Sequence, residues 1–261
     1  MRPIWSGSIS FGLVNIPVKL FSAVHEREIN FDLLHKKDLS PIRYARVCET
    51  EDKEIDFHDL VRGYEYAKGN YVVVELEEIK KADVAKTQTI SIVDFSPEKD
   101  IDSIYFEKPY FIAPDKGSEK AYALLRESLT KRSKVAIAKF VLRTREHLGA
   151  IKADNNVLVF EQMRFSEDLR NPAELNLPTA SLVSEKELDM AYQLIDRLTE
   201  KFNPEKYKDT YTAELEQLLA EKVAGKAPKV TGKVPEPTPS KDLMEALKAS
   251  LEKEVRPAAQ A

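Results

Sequence analysis

Residues 131 to 145 read KRSKVAIAKFVLRTR, placing Lys131, Arg132, Lys134, Lys139, Arg143 and Arg145 together without a carboxylate. Side chains of this kind, concentrated in this way, hold phosphate oxygens through charge-assisted hydrogen bonds. A second basic group, Lys36, Lys37, Arg43 and Arg46, surrounds the turn sequence LSPIRY, and Arg164 follows in QMRFSED. We expect Arg43, Arg46, Lys131, Arg132, Lys134, Arg143, Arg145 and Arg164 to contact phosphate, with Lys36 and Lys37 beside them. A single charge run is ordinarily a solvated face. Two such clusters in a chain of net charge −4 point instead to a polyanion, because phosphate affinity follows the local field and not the total charge. The acids gather elsewhere, at Glu49, Glu51, Asp52, Glu54, Asp56 and Asp59 and again at Glu75, Glu77 and Glu78, and those of 49–59 are expected to stay off the polyanion.

Other chemistries lack their residues. His25, His35, His58 and His147 are scattered, and Cys48 has no second cysteine with which to bind zinc. There is no P-loop, no G-x-G-x-x-G and no nucleophile elbow. Asp100 and Asp102 form a D-x-D where a turn meets a strand, which reads as solvated loop. No catalytic residue, metal or cofactor is therefore expected. A lone cysteine cannot form an internal disulfide and suits a reducing compartment. The apolar stretch at residues 4–23 is interrupted by Gly7, Gly12, Asn15, Pro17 and Lys19, which fits neither a signal peptide nor a membrane span. The chain reads as soluble and cytoplasmic, without a membrane partner.

The elements that must position the cations come as strands first and helices later. Val14, Ile16, Val18 and Leu20 alternate with Leu13, Asn15, Pro17 and Lys19, so residues 4–23 form two strands joined at Gly12. Pro17 cannot donate to a ladder and predicts a sheet edge or bulge. Segments 70–79, 89–95, 104–113, 135–142 and 156–165 are rich in β-branched and aromatic residues and bounded by turn residues. Together with the opening hairpin they predict a largely antiparallel sheet that curls or closes. One helix interrupts it after Ser118, with Ala121, Leu124, Leu125 and Leu129 on one face.

From residue 184 the period becomes helical. Ser184 and Glu187 stand at capping-box spacing, followed by Leu188, Ala191, Ile195, Leu198 and Phe202 along one stripe, until Asn203 and Pro204 end the run. A second helix is expected through YTAELEQLLAEKVAG, with Gly225 just past its end. Such stripes pack on the protein's own core or, with the aromatic lead FNPEKYKDTY, on a second copy of the chain. Residues 226–240 are a linker rich in Pro, Lys and Thr. Beyond it, Leu243, Met244, Leu247 and Leu251 line one side of a short helix, which either folds back on the body or offers itself to a partner's groove.

Taken in order, the blocks RPIWSGSISFGLVNIPVKLFSA, LLHKKDLSPIRYARVC, GYEYAKGNYVVV, IYFEKPYFIAPDKGSEKAYALLRESL, KVAIAKFVLRTREHLGAIK and FNPEKYKDTYTAELEQLLAEKVAGK resemble the bacterial Ku proteins over residues 1–225. The resemblance implies a mixed β and α fold: a Ku-type β-barrel core at 1–180, a helical dimerisation arm at 181–225, the linker at 226–240 and a flexible C-terminal tail with a recruitment helix at 241–261. It implies sequence-independent binding of double-stranded DNA ends by a homodimeric ring in non-homologous end joining, and recruitment of DNA ligase D. Leu188, Ile195, Leu198, Phe202, Tyr207 and Tyr211 would then form the dimer contact, and Leu243, Met244, Leu247 and Leu251 the partner contact. Many bacterial relatives carry a second cysteine three residues after the position of Cys48; here that position is Glu51. Two alternatives remain: a protein-binding adaptor or chaperone with no preference for DNA ends, and a lyase acting on damaged ends through a lysine amine.

Overall fold

The computed structural model describes residues 1–25, 29–75, 77–78, 88–142, 145–179, 182–226 and 243–252. It divides into two units, Met1–Asn171 and Pro172–Ala261, so the boundary falls before the expected 180/181.

In the first unit the opening hairpin forms as its alternation predicts: β1 (Trp5–Phe11) and β2 (Val14–Ser22) are joined at Gly12, whose φ of +60° is the left-handed region glycine enters freely. Ile9, Ile16, Val18 and Leu20 are fully buried. The barrel is completed by β5 (Thr89–Ser96), β6 (Phe106–Pro114), β7 (Val135–Leu142), β8 (Arg145–Asp154) and β9 (Val157–Met163) in the order β1-β2-β6-β9-β8-β7-β5. All pairs are antiparallel except β1 with β5, whose parallel register Ile9↔Ile90 closes the barrel and removes its open edges.

Three expectations are corrected. The strand at 70–79 is not a barrel stave: among the described residues β4 (Asn70–Val74) pairs only with β3 (Arg62–Ala67), in a separate two-stranded hairpin. The stave that the sequence does not announce is β8. Pro17 does not put β2 at an edge, since β2 pairs with both β1 and β6. Pro17 lies one residue before the first β2–β6 pair, Val18↔Pro114, and its carbonyl accepts from the Asp115 N–H at 2.9 Å and from Ser118 Oγ at 2.7 Å. Its missing N–H therefore leaves no gap in a ladder. Finally, α1 (Glu119–Arg132) buries Tyr122, Leu125 and Leu129, whereas Leu124 is 67% exposed. The Tyr122 hydroxyl donates to Ile112 O at 2.8 Å and accepts from the Leu158 N–H at 2.7 Å, tying α1 to β6 and β9.

In the second unit, α2 (Glu185–Leu198) begins at the predicted capping box: Glu187 Oε2 accepts from the Ser184 N–H at 2.8 Å, and Ser184 Oγ accepts from the Glu187 N–H at 3.4 Å. α3 (Thr210–Val223) ends at Gly225 (φ +72°). α4 (Leu243–Glu252) packs against α2, and Arg197 donates to Leu251 O. The tail helix thus folds back on the arm's first helix. The expected linker at 226–240, apart from Lys226, lies outside the described residues.

Candidate nucleic-acid interface

The expected cations fall in three settings. The first is the loop that begins near Leu33. Its ends are tied by the Leu34↔Pro41 bridge and by the Ile42 N–H donating to Leu33 O at 3.0 Å. Inside it, Asp38 Oδ1 accepts from Ser40 Oγ (2.8 Å), the Ser40 N–H (3.1 Å) and His35 Nδ1 (2.9 Å). Those bonds, the Ser40 pair first, hold the Asp38 carboxyl below the usual carboxylate range. The carboxylate is turned inward on its own loop, and Lys36 and Lys37 project from the turn without an ionic partner among the described residues.

The second setting joins what the sequence keeps apart. Cys48 N–H donates to Lys53 O at 2.9 Å, and Ile55 N–H to Arg46 O at 2.8 Å, so the acidic run folds back along the basic one. Arg43 then sits 3.5 Å from Glu54, and the Arg46 guanidinium lies over Phe57, 5.2 Å from the ring centroid. The Arg43 and Glu54 side chains are 86% and 56% exposed, and such a pair is worth about 0–1 kcal/mol, too little to withhold Arg43 from a phosphate.

The third setting is the barrel wall, where the expected cations separate. Lys131 and Arg132 end α1; Ser133 adopts φ +50°, letting the chain reverse, and Lys134 leads into β7. All three are exposed. Lys139 points away from buried Ala138 and Phe140, as alternation predicts, with its Nζ 5.9 Å from the Phe165 ring centroid. Arg145 pairs with Asp168 at 3.5 Å and shares a hollow of about 230 Å³ with Glu107, Glu146 and Asp168, a mixed field and not a basic one. Arg164 is held more firmly, its Nη1 donating to Phe106 O at 2.8 Å and to Ile104 O at 3.3 Å. Arg143 lies outside the described residues.

The same hollow contains a network that periodicity cannot announce. Tyr110 Oη donates to Gln162 Oε1 at 3.2 Å, and Gln162 Nε2 donates to Glu107 Oε2 at 3.1 Å and reaches His147 Nδ1 at 3.2 Å. Burial, helped by Arg145, pushes the His147 pKa down, which favours the neutral ring that can accept from Gln162 at Nδ1. Gln162 is buried and fully engaged, so the network reads as a structural clasp between β6, β8 and β9. Among the described residues no group of three or more His, Cys, Asp or Glu is placed to hold a metal ion. None of the described helices is long and apolar enough to cross a membrane.

Comparison with known proteins decides the family. A family model described as the Ku70/Ku80 beta-barrel domain matches residues 10–190. A protein named Non-homologous end joining protein Ku from Opitutus terrae is 44% identical over 91% of this chain and 85% of its own length. Proteins of the same name from Bacillus subtilis and Coxiella burnetii are 41% and 38% identical over 98% and 96% of this chain, covering 84% and 94% of their own lengths. The chain belongs to the Ku family. The seven-stranded barrel followed along the chain by helices is the Ku core with its helical region. Among solved structures, the SPOC domain of human PHD-finger protein 3 aligns with 65% of the chain at 12% identity and a TM-score of 0.31, a likeness that carries nothing for fold or function.

In this Ku-family chain the expected dimer residues are mostly uncovered. Ile195, Leu198, Phe202, Tyr207 and Tyr211 are 58%, 47%, 74%, 66% and 73% exposed, and Leu188 is half-buried. Phe202 and Tyr207 stack, with ring centroids 5.7 Å apart. On α4, Leu243 is partly exposed, and Met244, Leu247 and Leu251 are half-buried.

Proposed function

We propose that this protein binds double-stranded DNA ends without regard to sequence, as a homodimeric ring acting in non-homologous end joining in the bacterial cytoplasm, and that it recruits and stimulates DNA ligase D. One observation carries the reading: relatives named Non-homologous end joining protein Ku align with nearly the whole chain at 38–44% identity. A protein that accepts any broken end must hold phosphate and sugar and leave base edges unread. Lys36, Lys37, Arg43, Arg46 and Lys131 suit that task, being exposed and either unpaired or only weakly engaged. Arg132 and Lys134, also exposed, belong with them, and Arg143 joins them on sequence grounds. Arg145, whose one carboxylate partner is a 3.5 Å exposed pair like that of Arg43, stays a candidate, while Arg164 is a weaker one because two carbonyls already engage it.

A chain of this size has too little core to encircle a duplex alone, so closure calls for a second copy related by two-fold symmetry. The exposed apolar and aromatic side chains of α2 and the segment after it supply a surface for that contact. Leu243, Met244, Leu247 and Leu251 on α4 are assigned to the ligase. The test is competition for a labelled linear duplex between unlabelled linear plasmid and the same plasmid as a covalently closed circle. Only the linear form should compete; equal competition by the closed circle overturns the threaded ring.

A further inference from the structure

The β1–β2 hairpin, β5 and α1 enclose an apolar groove of about 420 Å³ whose floor is core, Ile16 and Leu125. Its walls are not covered. Phe11 and Phe95 meet edge to face with centroids 5.5 Å apart, and they are 43% and 42% exposed; Leu124 from α1 is 67% exposed. A contiguous apolar surface left open to water and rimmed by polar residues is a feature that interaction sites use. The mouth has a sign as well: Arg132 and Lys134 line it, no carboxylate does, and neither cation has an ionic partner among the described residues.

The helix dipole at the end of α1 accounts for a cation there. It does not account for the apolar groove beside it. A phosphate backbone gains nothing from Phe11, Phe95 and Leu124, whereas an amphipathic helix gains from both features at once, its anchors leaving water and its carboxylates meeting the cations. We propose that this groove is the docking site for an acidic amphipathic helix of a partner protein. Two or three apolar anchors fill the groove, and a flanking carboxylate pairs with Arg132 and Lys134. The inference stands on the barrel alone and does not depend on DNA end binding.

The probe is a fluorescein-labelled synthetic amphipathic helix with leucines at i, i+4 and i+7 and glutamates on the remaining face, titrated with the full chain and read by fluorescence anisotropy. Saturable binding is expected, weakened about tenfold or more by Leu124→Asp and by Arg132→Glu. The same peptide with lysines in place of the glutamates should bind no better than the variants do. Leu124 is exposed, so its substitution leaves the core intact, which a thermal melt checks. Absence of binding, equal binding of both peptides, or indifference to both variants overturns the proposal. Two further results overturn it by naming another occupant. Leu124→Asp turning a dimer into a monomer in sedimentation would make the groove a subunit contact; displacement of the peptide by a short duplex, with weaker end binding by Leu124→Asp, would make it a DNA surface.

Discussion

Arg164 Nη1 holds the carbonyls of Phe106 and Ile104, whereas Lys36 and Lys37 stand on a turn whose one carboxylate, Asp38, is engaged by His35 and Ser40. Equal charges thus have different work. Replacing Lys36 and Lys37 together by alanine should weaken duplex-end binding alike for unrelated sequences and flatten the slope of log K against log salt by about 0.9 for each phosphate no longer neutralised. Thermal stability should not change, because both side chains are exposed. Arg164→Ala should do the reverse, costing about 1–3 kcal/mol in urea unfolding with little change in salt slope. An unchanged slope for the lysine pair, or a flattened one for Arg164→Ala, would exchange the two roles. Sequence shows which residues carry charge and where they cluster; it does not show what already holds them. Arg43 and Glu54 look like members of opposing clusters until a hairpin brings them within 3.5 Å.

At the scale of the element, local pattern found the opening hairpin, the capping box and the end of α3 before Gly225, because each is set by neighbours along the chain, but it ran α2 on to Phe202 where the helix stops at Leu198. It missed β8, whose sequence REHLGAIKAD opens with charges and carries a glycine where β-branched residues would announce a strand. That glycine has a tertiary reason. A Cβ on Gly149 would lie 2.1 Å from Phe160 Cζ, and Phe160 is fully buried on the neighbouring strand β9. Gly149→Ala should therefore destabilise the barrel by about 1–3 kcal/mol through forced displacement of the ring. The urea midpoint is the measurement, and Phe160→Leu added to Gly149→Ala should recover part of the loss if the clash is the cause. The same limit explains β4 and α1. NYVVV does form a strand, but propensity cannot say which strand it meets, and choosing between Leu124 and Tyr122 as the inward residue required the Tyr122 hydroxyl's partners on β6 and β9.

For the whole molecule, the proposed dimer contact and the proposed ligase contact both fall in the helical unit, and the question is whether they can be separated. α4 has 10 residues, too few to hold a helix alone in water, so its order depends on the packing against α2 and on the Arg197 bond to Leu251 O. Ile195 and Leu198 remain 58% and 47% exposed with α4 in place, and Phe202 and Tyr207 on the segment after α2 and Tyr211 on α3 are also uncovered. The helical unit therefore keeps an apolar face uncovered with α4 docked, and the proposed second copy would not have to displace α4 to use it. Deleting residues 240–261 should accordingly leave linear-duplex binding intact while abolishing stimulation of DNA ligase D in joining of linear plasmid. Loss of end binding in the truncated protein would make α4 part of ring closure. Full binding with undiminished stimulation would place the ligase contact outside the tail, leaving the barrel's basic-rimmed groove as the next surface to test.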